Sequence, residues 1–256
     1  MEKPVKRTFI VLLVLMLLLA VVPQSALATT VNITFGDEAE DDGGGGFNLI
    51  WLLFLLTVLS VAPSFLILTT SFTRIAVVLS FLRNAVGTQQ SPPNQVMVGL
   101  ALFLTFFIMA PVYSQVNEVA ITPFLNEEIS QEEFLERATG PVQEFMLRNT
   151  REKDLALFMN LSGAPTNDIG PAELSALPLT TVAPAFVISE LRVAFQIGFL
   201  LFLPFIVIDM IVASILMSMG MFMLPPVMIS LPFKLLLFVM VDGWFLVIQS
   251  VVRGFQ

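Results

Sequence analysis

AFVISELRVAFQIGFLLFLPFIVI, residues 185–208, carries Glu190 and Arg192 near its start and then runs to its end without a charge. After Asp209 the pattern resumes as MIVASILMSMGMFML, residues 210–224, again uncharged. A helix needs about 20 predominantly apolar residues to cross the hydrocarbon of a bilayer. Three further stretches have the same character. Residues 47–70 contain Pro63, residues 96–112 hold no charge, and residues 227–252 are interrupted by Pro232, Lys234, Asp242 and Gly243. That is too much apolar chain for the core of a soluble protein of 256 residues. The expectation is an all-α integral membrane protein, built of kinked helical hairpins with a small helical extracytoplasmic domain.

Composition points the same way. The chain is 56% hydrophobic and 12% charged, against about 45–50% and about 25% for soluble domains. It has no Cys and no His, which removes disulfides, thiolate nucleophiles, imidazole metal ligands and the commonest general base. No zinc-binding HExxH, GxSxG elbow or P-loop occurs. Neither an enzymatic activity nor a metal or other cofactor is expected. The net charge of −8 comes without a basic patch, so nucleic acid is not an expected partner.

The N-terminus reads as an address. Lys3, Lys6 and Arg7 precede an apolar run from Phe9 to Val22, and Ala26-Leu27-Ala28 supplies small residues at −3 and −1. This is the layout of a signal peptide, 1–28, cleaved after Ala28. Residues 29–46 hold five acids at 37–42 and end in four glycines. Such a stretch suits a flexible, solvated tether.

Cleavage places Thr29 outside. A first membrane helical hairpin, 47–116, then carries Arg74 and Arg83 to the cytoplasmic side, in line with the positive-inside bias. Residues 117–184, with eleven acids against four bases, become an extracytoplasmic (periplasmic-side) helical domain. Within it, 141–161 reads as one amphipathic helix, with Val142, Phe145, Met146, Asn149, Ala156 and Met159 near one face. The charges on its other side read as a solvated face. Residues 185–256 form a second membrane hairpin, with an inner turn at Asp209, and a C-terminal apolar segment. Lys234 and Arg253 fit this topology less well.

Charged groups in or beside membrane segments are functional candidates by default. Here they are Arg74, Arg83, Glu190, Arg192, Asp209, Lys234 and Asp242. Pairing among them competes with a proton relay, and the sequence does not say which carboxylate meets which cation. An ion-coupled secondary transporter working through Glu190, Asp209 and Asp242 is one reading, although no internal repeat of the kind common in such carriers is found.

Met217, Met219, Met221 and Met223 alternate with Ser218, Gly220 and Phe222, ahead of Pro225-Pro226. In a continuous helix these four would spread around the axis, whereas in an extended segment they point one way. Gly220 and the two prolines favour a break. Flexible, polarisable thioethers fill irregular gaps. Two readings stand: a ring of Met from several subunits that seals a pore, or ordinary gap-filling and lipid-facing Met.

Two blocks resemble the FliP family. The first is SFLILTTSFTRI (64–75), LSFLRNA (79–85) and QQSPPNQ (89–95). The second is GMFMLPP (220–226), LPFK (231–234) and VDGW (241–244). The resemblance covers roughly residues 47–256. It implies a pore-forming core subunit of the flagellar type III export gate, which conducts unfolded flagellar proteins across the cell membrane at the flagellar basal body. It implies FliR and FliQ as partner subunits, a pentamer of this chain, contacts with other flagellar export and basal-body components, and secreted flagellar proteins as cargo. It also implies that the Met217–Met223 loop is a gasket closing the pore. The injectisome paralogue resembles the same blocks, but the signal peptide, the tether and Asp242-Gly243-Trp244 favour the flagellar member.

Overall fold

The computed structural model describes residues 49–88, 91–163, 174 and 176–255. The expected signal peptide, its cleavage site at Ala28 and the acidic tether lie outside the described residues. The described residues are helical and contain no strand. The chain divides into two units, 1–60 and 61–256.

Helix α1, Leu49–Thr69, begins in the first unit and ends in the second. Its residues Leu53, Phe54, Leu56 and Leu59 are exposed, so this helix, apolar all round, finds no core of its own in the chain and has the character of a membrane span. Pro63 lies inside α1 and does not end it. The break falls instead at Thr70-Ser71, where Thr69 and Thr70 hydroxyls donate to the carbonyls of Phe65 and Leu66. Such back-bonding by Thr side chains competes with the backbone ladder.

The second unit is organised around α2, Phe72–Val86, and its long partner α7, Leu179–Ser218. Ile75, Val78, Leu79, Leu82, Ala85 and Val86 recur at helical spacing on the buried face of α2. Gly87, at φ 87°, ends it in the left-handed conformation, and its N–H donates to the Asn84 carbonyl. Phe186, Val182 and Ala194 of α7 complete this core, with Met109 and Val112 of α3, Asn94–Val116. Phe145 and Met146 come from α5, Gln131–Asn149.

Helix α3 does not stop with the uncharged stretch 96–112. Helix passes through Pro111 to Val116, continues as a π-turn over Asn117–Ile121, and finishes as α4, Thr122–Leu125. A proline removes one backbone bond, and a long apolar helix tolerates that loss where neighbouring groups compensate. Helix α5 starts with Ser130 accepting the Glu133 N–H, the N-terminal half of a capping box. The single helix expected over 141–161 is two: α5 and α6, Glu152–Ser162. Thr150 and Arg151 are extended between them. The side chains of Asn149 and Thr150 bond to the carbonyls of Phe145 and Met146, and the Arg151 N–H leaves the ladder for the Ser189 hydroxyl. The apolar face itself is as read: Phe145, Met146 and Met159 are buried, while Glu144, Arg148, Glu152 and Lys153 are exposed.

The largest departure concerns the opening stretch. Residues 185–224 do not turn back at Asp209. They lie mostly in one 40-residue helix, α7, about 60 Å long at 1.5 Å per residue. Pro184 and Pro204 are both accommodated within it. Asp209 is no turn former here because a partner meets its charge from the side. The true reversal is at Met219–Pro225, after which α8, Pro226–Met240, packs back on α7. Helix α9, Gly243–Arg253, follows α8 at a 63° bend. Among the described residues three helical stretches are long and apolar enough to cross a membrane, Leu52–Thr69, Asn94–Leu125 and Leu179–Ser218, or four if the bent pair α8–α9 counts as one span.

Candidate functional site: buried ion pairs and a methionine loop

The structure pairs most of the charges singled out in the sequence. Glu190 is fully buried, and Arg74 is 3% exposed. The Arg74 guanidinium donates from Nε to Glu190 Oε2 at 2.8 Å and from Nη2 to Oε1. Its Nη1 donates to the Gly254 carbonyl at 2.8 Å, and its carbon lies 3.7 Å from the centre of the Phe255 ring. One side chain therefore ties α2, α7 and the C-terminal residues together. The planar fork suits Arg to this task, and Lys offers no equivalent.

Two residues on from Glu190, Arg192 donates to Asp154 of α6 at 2.9 Å. The Ser189 hydroxyl donates to the other oxygen of Asp154 at 2.9 Å and accepts the Arg151 N–H. Asp154 is buried. The sequence reading left it among the solvated charges of 141–161. The signal that could have found it is its place beside Leu155 and one turn before Phe158 and Met159, on the edge of the apolar face.

A further pair, with Lys234 buried and Asp209 half-buried, lies nearer the end of α7. Lys234 Nζ, on α8, donates to Asp209 Oδ2 at 2.6 Å, and the Ser230 hydroxyl donates to Oδ1. Three polar groups thus register α8 against α7 ahead of the loop that joins them. Arg83 and Asp242 stand apart. Among the described residues neither side chain makes an ion pair or hydrogen bond; the Arg83 Nε is buried without a partner. Asp242 is exposed at the α8–α9 bend in a left-handed conformation, φ 52°.

The four methionines straddle the end of α7. Met217 is in its last turn, Met219 is its C-cap, and Met221 and Met223 lie in the loop. Gly220, at φ 75°, makes the break, a conformation open to glycine at no steric cost. The side chains do not fold back on the protein: Met217, Met219 and Met223 are 58%, 65% and 96% exposed, and neighbouring Phe222 is 79% exposed. Met221 is half-buried. Apolar side chains this exposed at the tip of a hairpin form a patch that calls for another surface.

Among the described residues no group of three or more acidic side chains could hold a metal ion. The fold and site define a class: an all-helical protein with several helices able to span a membrane, held by one buried and two partly buried ion pairs and ending one hairpin in an exposed methionine loop. The chain belongs to the FliP family, whose model matches residues 55–251. It is 60% identical over 204 residues to a flagellar biosynthetic protein FliP of Bacillus subtilis, covering 80% of this chain and 90% of that protein. It is 52% identical over 238 residues to the Caulobacter vibrioides protein of that name, covering 93% of this chain and 86% of the relative. With the Pectobacterium carotovorum protein the identity is 54% over 215 residues, covering 84% and 82%.

Proposed function

We propose that this chain is a pore-forming core subunit of the flagellar type III export gate, conducting unfolded flagellar proteins across the cell membrane during flagellum assembly. Family membership supports the flagellar assignment. The observation that carries the pore role is the methionine loop, presented to the outside at the end of a helix about twice as long as a bilayer's hydrocarbon is thick. In a ring of copies, such loops meet at the axis, and flexible thioethers close the space without a fixed shape. The same side chains yield to a passing polypeptide of any sequence. FliQ and FliR are the expected neighbours, with a pentamer of this chain, and other export and basal-body components surround them.

In this reading 1–28 is removed after Ala28, 29–46 is a tether, 47–116 and 185–256 hold the membrane-type helices, and 117–184 lies on the periplasmic side. The apolar helix faces serve as subunit interfaces as well as lipid contacts. The ion-coupled carrier reading is weakened, because Glu190 and Asp209 are each held by a cation and no described carboxylate stands free in a buried site. Nor does any observation favour an injectisome paralogue, since the relatives named above are flagellar.

Affinity purification of the tagged chain from membranes tests the assignment. Co-elution with FliQ and FliR in one complex is the expected outcome. Elution alone, while FliQ and FliR associate without it, would contradict the reading.

A further inference from the structure

Arg83 has no role in the ion pairs above. It lines a cleft of about 270 Å³ between α2 and the first turn of α3, together with Val77, Ser80, Asn94, Met97 and Val98. Its Nε is buried and unpartnered. A buried donor left unmade is costly, and a guanidinium edge matches two oxygens of a phosphate or carboxylate. The N-terminus of α3 opens on the same cleft. Its N-cap is Pro93, which supplies no side-chain acceptor and whose carbonyl takes the Val96 and Met97 N–H groups, so the Asn94 and Gln95 N–H groups of a 23-residue helix are left at this end uncapped. The remaining wall is apolar, from Val77, Met97 and Val98.

We infer that this cleft is a phospholipid site: the lipid phosphate is held by Arg83 and the first turn of α3, and the acyl chain lies along Val77, Met97 and Val98. Position favours a lipid over a protein carboxylate. The candidate span 94–125 begins at Asn94, so a helix crossing the bilayer from there sets its first turn at headgroup depth. Val96 and Val98, on the exposed side of that turn, are 56% and 40% exposed and continue the apolar wall outward. The inference rests on α3 meeting a membrane and not on the pore role, so failure of the export reading leaves it standing.

The full-length chain, purified in detergent, is titrated with phosphatidylglycerol and, separately, with diacylglycerol and inorganic phosphate, and bound lipid is read by native mass spectrometry. Phosphatidylglycerol is expected to bind, and Arg83→Gln to weaken it by about tenfold or more, the scale of a lost charged hydrogen bond. Arg83→Lys retains part of the binding. Val98→Trp, which closes the mouth while keeping Arg83, loses it, and Arg253→Gln, at an exposed Arg on α9, leaves it unchanged. Equal phosphatidylglycerol binding by the wild type and Arg83→Gln would overturn the inference. So would Arg83-dependent binding of inorganic phosphate as tight as that of the lipid, which would mark a free-phosphate site. Arg83-dependent binding of diacylglycerol would overturn it too, because that lipid has no phosphate.

Discussion

Arg74→Ala is expected to destabilise the chain by about 3–5 kcal/mol, the range for removing one partner of a buried ion pair. The change strips Glu190 of its guanidinium while leaving it fully buried on α7. It also removes the hydrogen bond to the Gly254 carbonyl and the stacking on Phe255. Most of the loss comes from stranding the carboxylate, not from the intrinsic worth of the pair, because the attraction between two buried charges is largely offset by their desolvation. The double change Arg74→Met with Glu190→Leu should therefore recover much of the loss, since it leaves no charge behind. Glu190→Gln should be milder than Arg74→Ala, as the guanidinium keeps its contacts to Gly254 and Phe255. Thermal denaturation in detergent, followed by circular dichroism, checks all three. A double variant as damaged as Arg74→Ala would mean that the pair itself, and not the stranded charge, governs stability.

Gly198→Ala should produce the other large effect, about 1–3 kcal/mol from overpacking. An added Cβ at Gly198 would lie 2.5 Å from the Phe81 ring. That ring cannot swing aside easily. It packs edge-on between Phe195 and Phe202, with centroids 5.1 and 6.0 Å away, and those two residues stand on α7 on either side of the glycine. The α2–α7 contact is thus set by a glycine that lets an aromatic ring close against the helix backbone. Gly198→Leu should be worse than Gly198→Ala. Combining Gly198→Ala with Phe81→Ala should cost less than the sum of the single changes, because the second removes the clash created by the first. Strict additivity in the same denaturation assay would place Phe81 elsewhere.

Much of this architecture is legible in the residues. Apolar length marks the membrane-type helices, Gly87 and Gly163 end α2 and α6 as C-terminal glycines do, and Gly220 with Pro225 and Pro226 marks the break that frees the methionine loop. The failures share a cause. Asp209 reads as a turn because an unpaired charge in an apolar run is expensive, yet Lys234 and Ser230, some 20 to 25 residues on, meet it in the folded chain. Asp154 reads as solvated until Ser189 and Arg192 are brought to it. In each case a partner distant in sequence decides the outcome, and local pattern does not encode it. The methionines differ: their spacing points to an unusual surface, but the occupant of that surface belongs to the assembly and not to one chain.

Ion conductance of the assembled gate tests the central claim most directly. With Met217, Met219, Met221 and Met223 all replaced by Ala, the closed gate should pass small ions that the wild type excludes, while secretion of flagellar proteins persists in part. The hairpin below the loop should remain intact, because its register depends on Asp209, Ser230 and Lys234. A quadruple variant that assembles normally and holds ions as tightly as the wild type would contradict a seal made of these side chains.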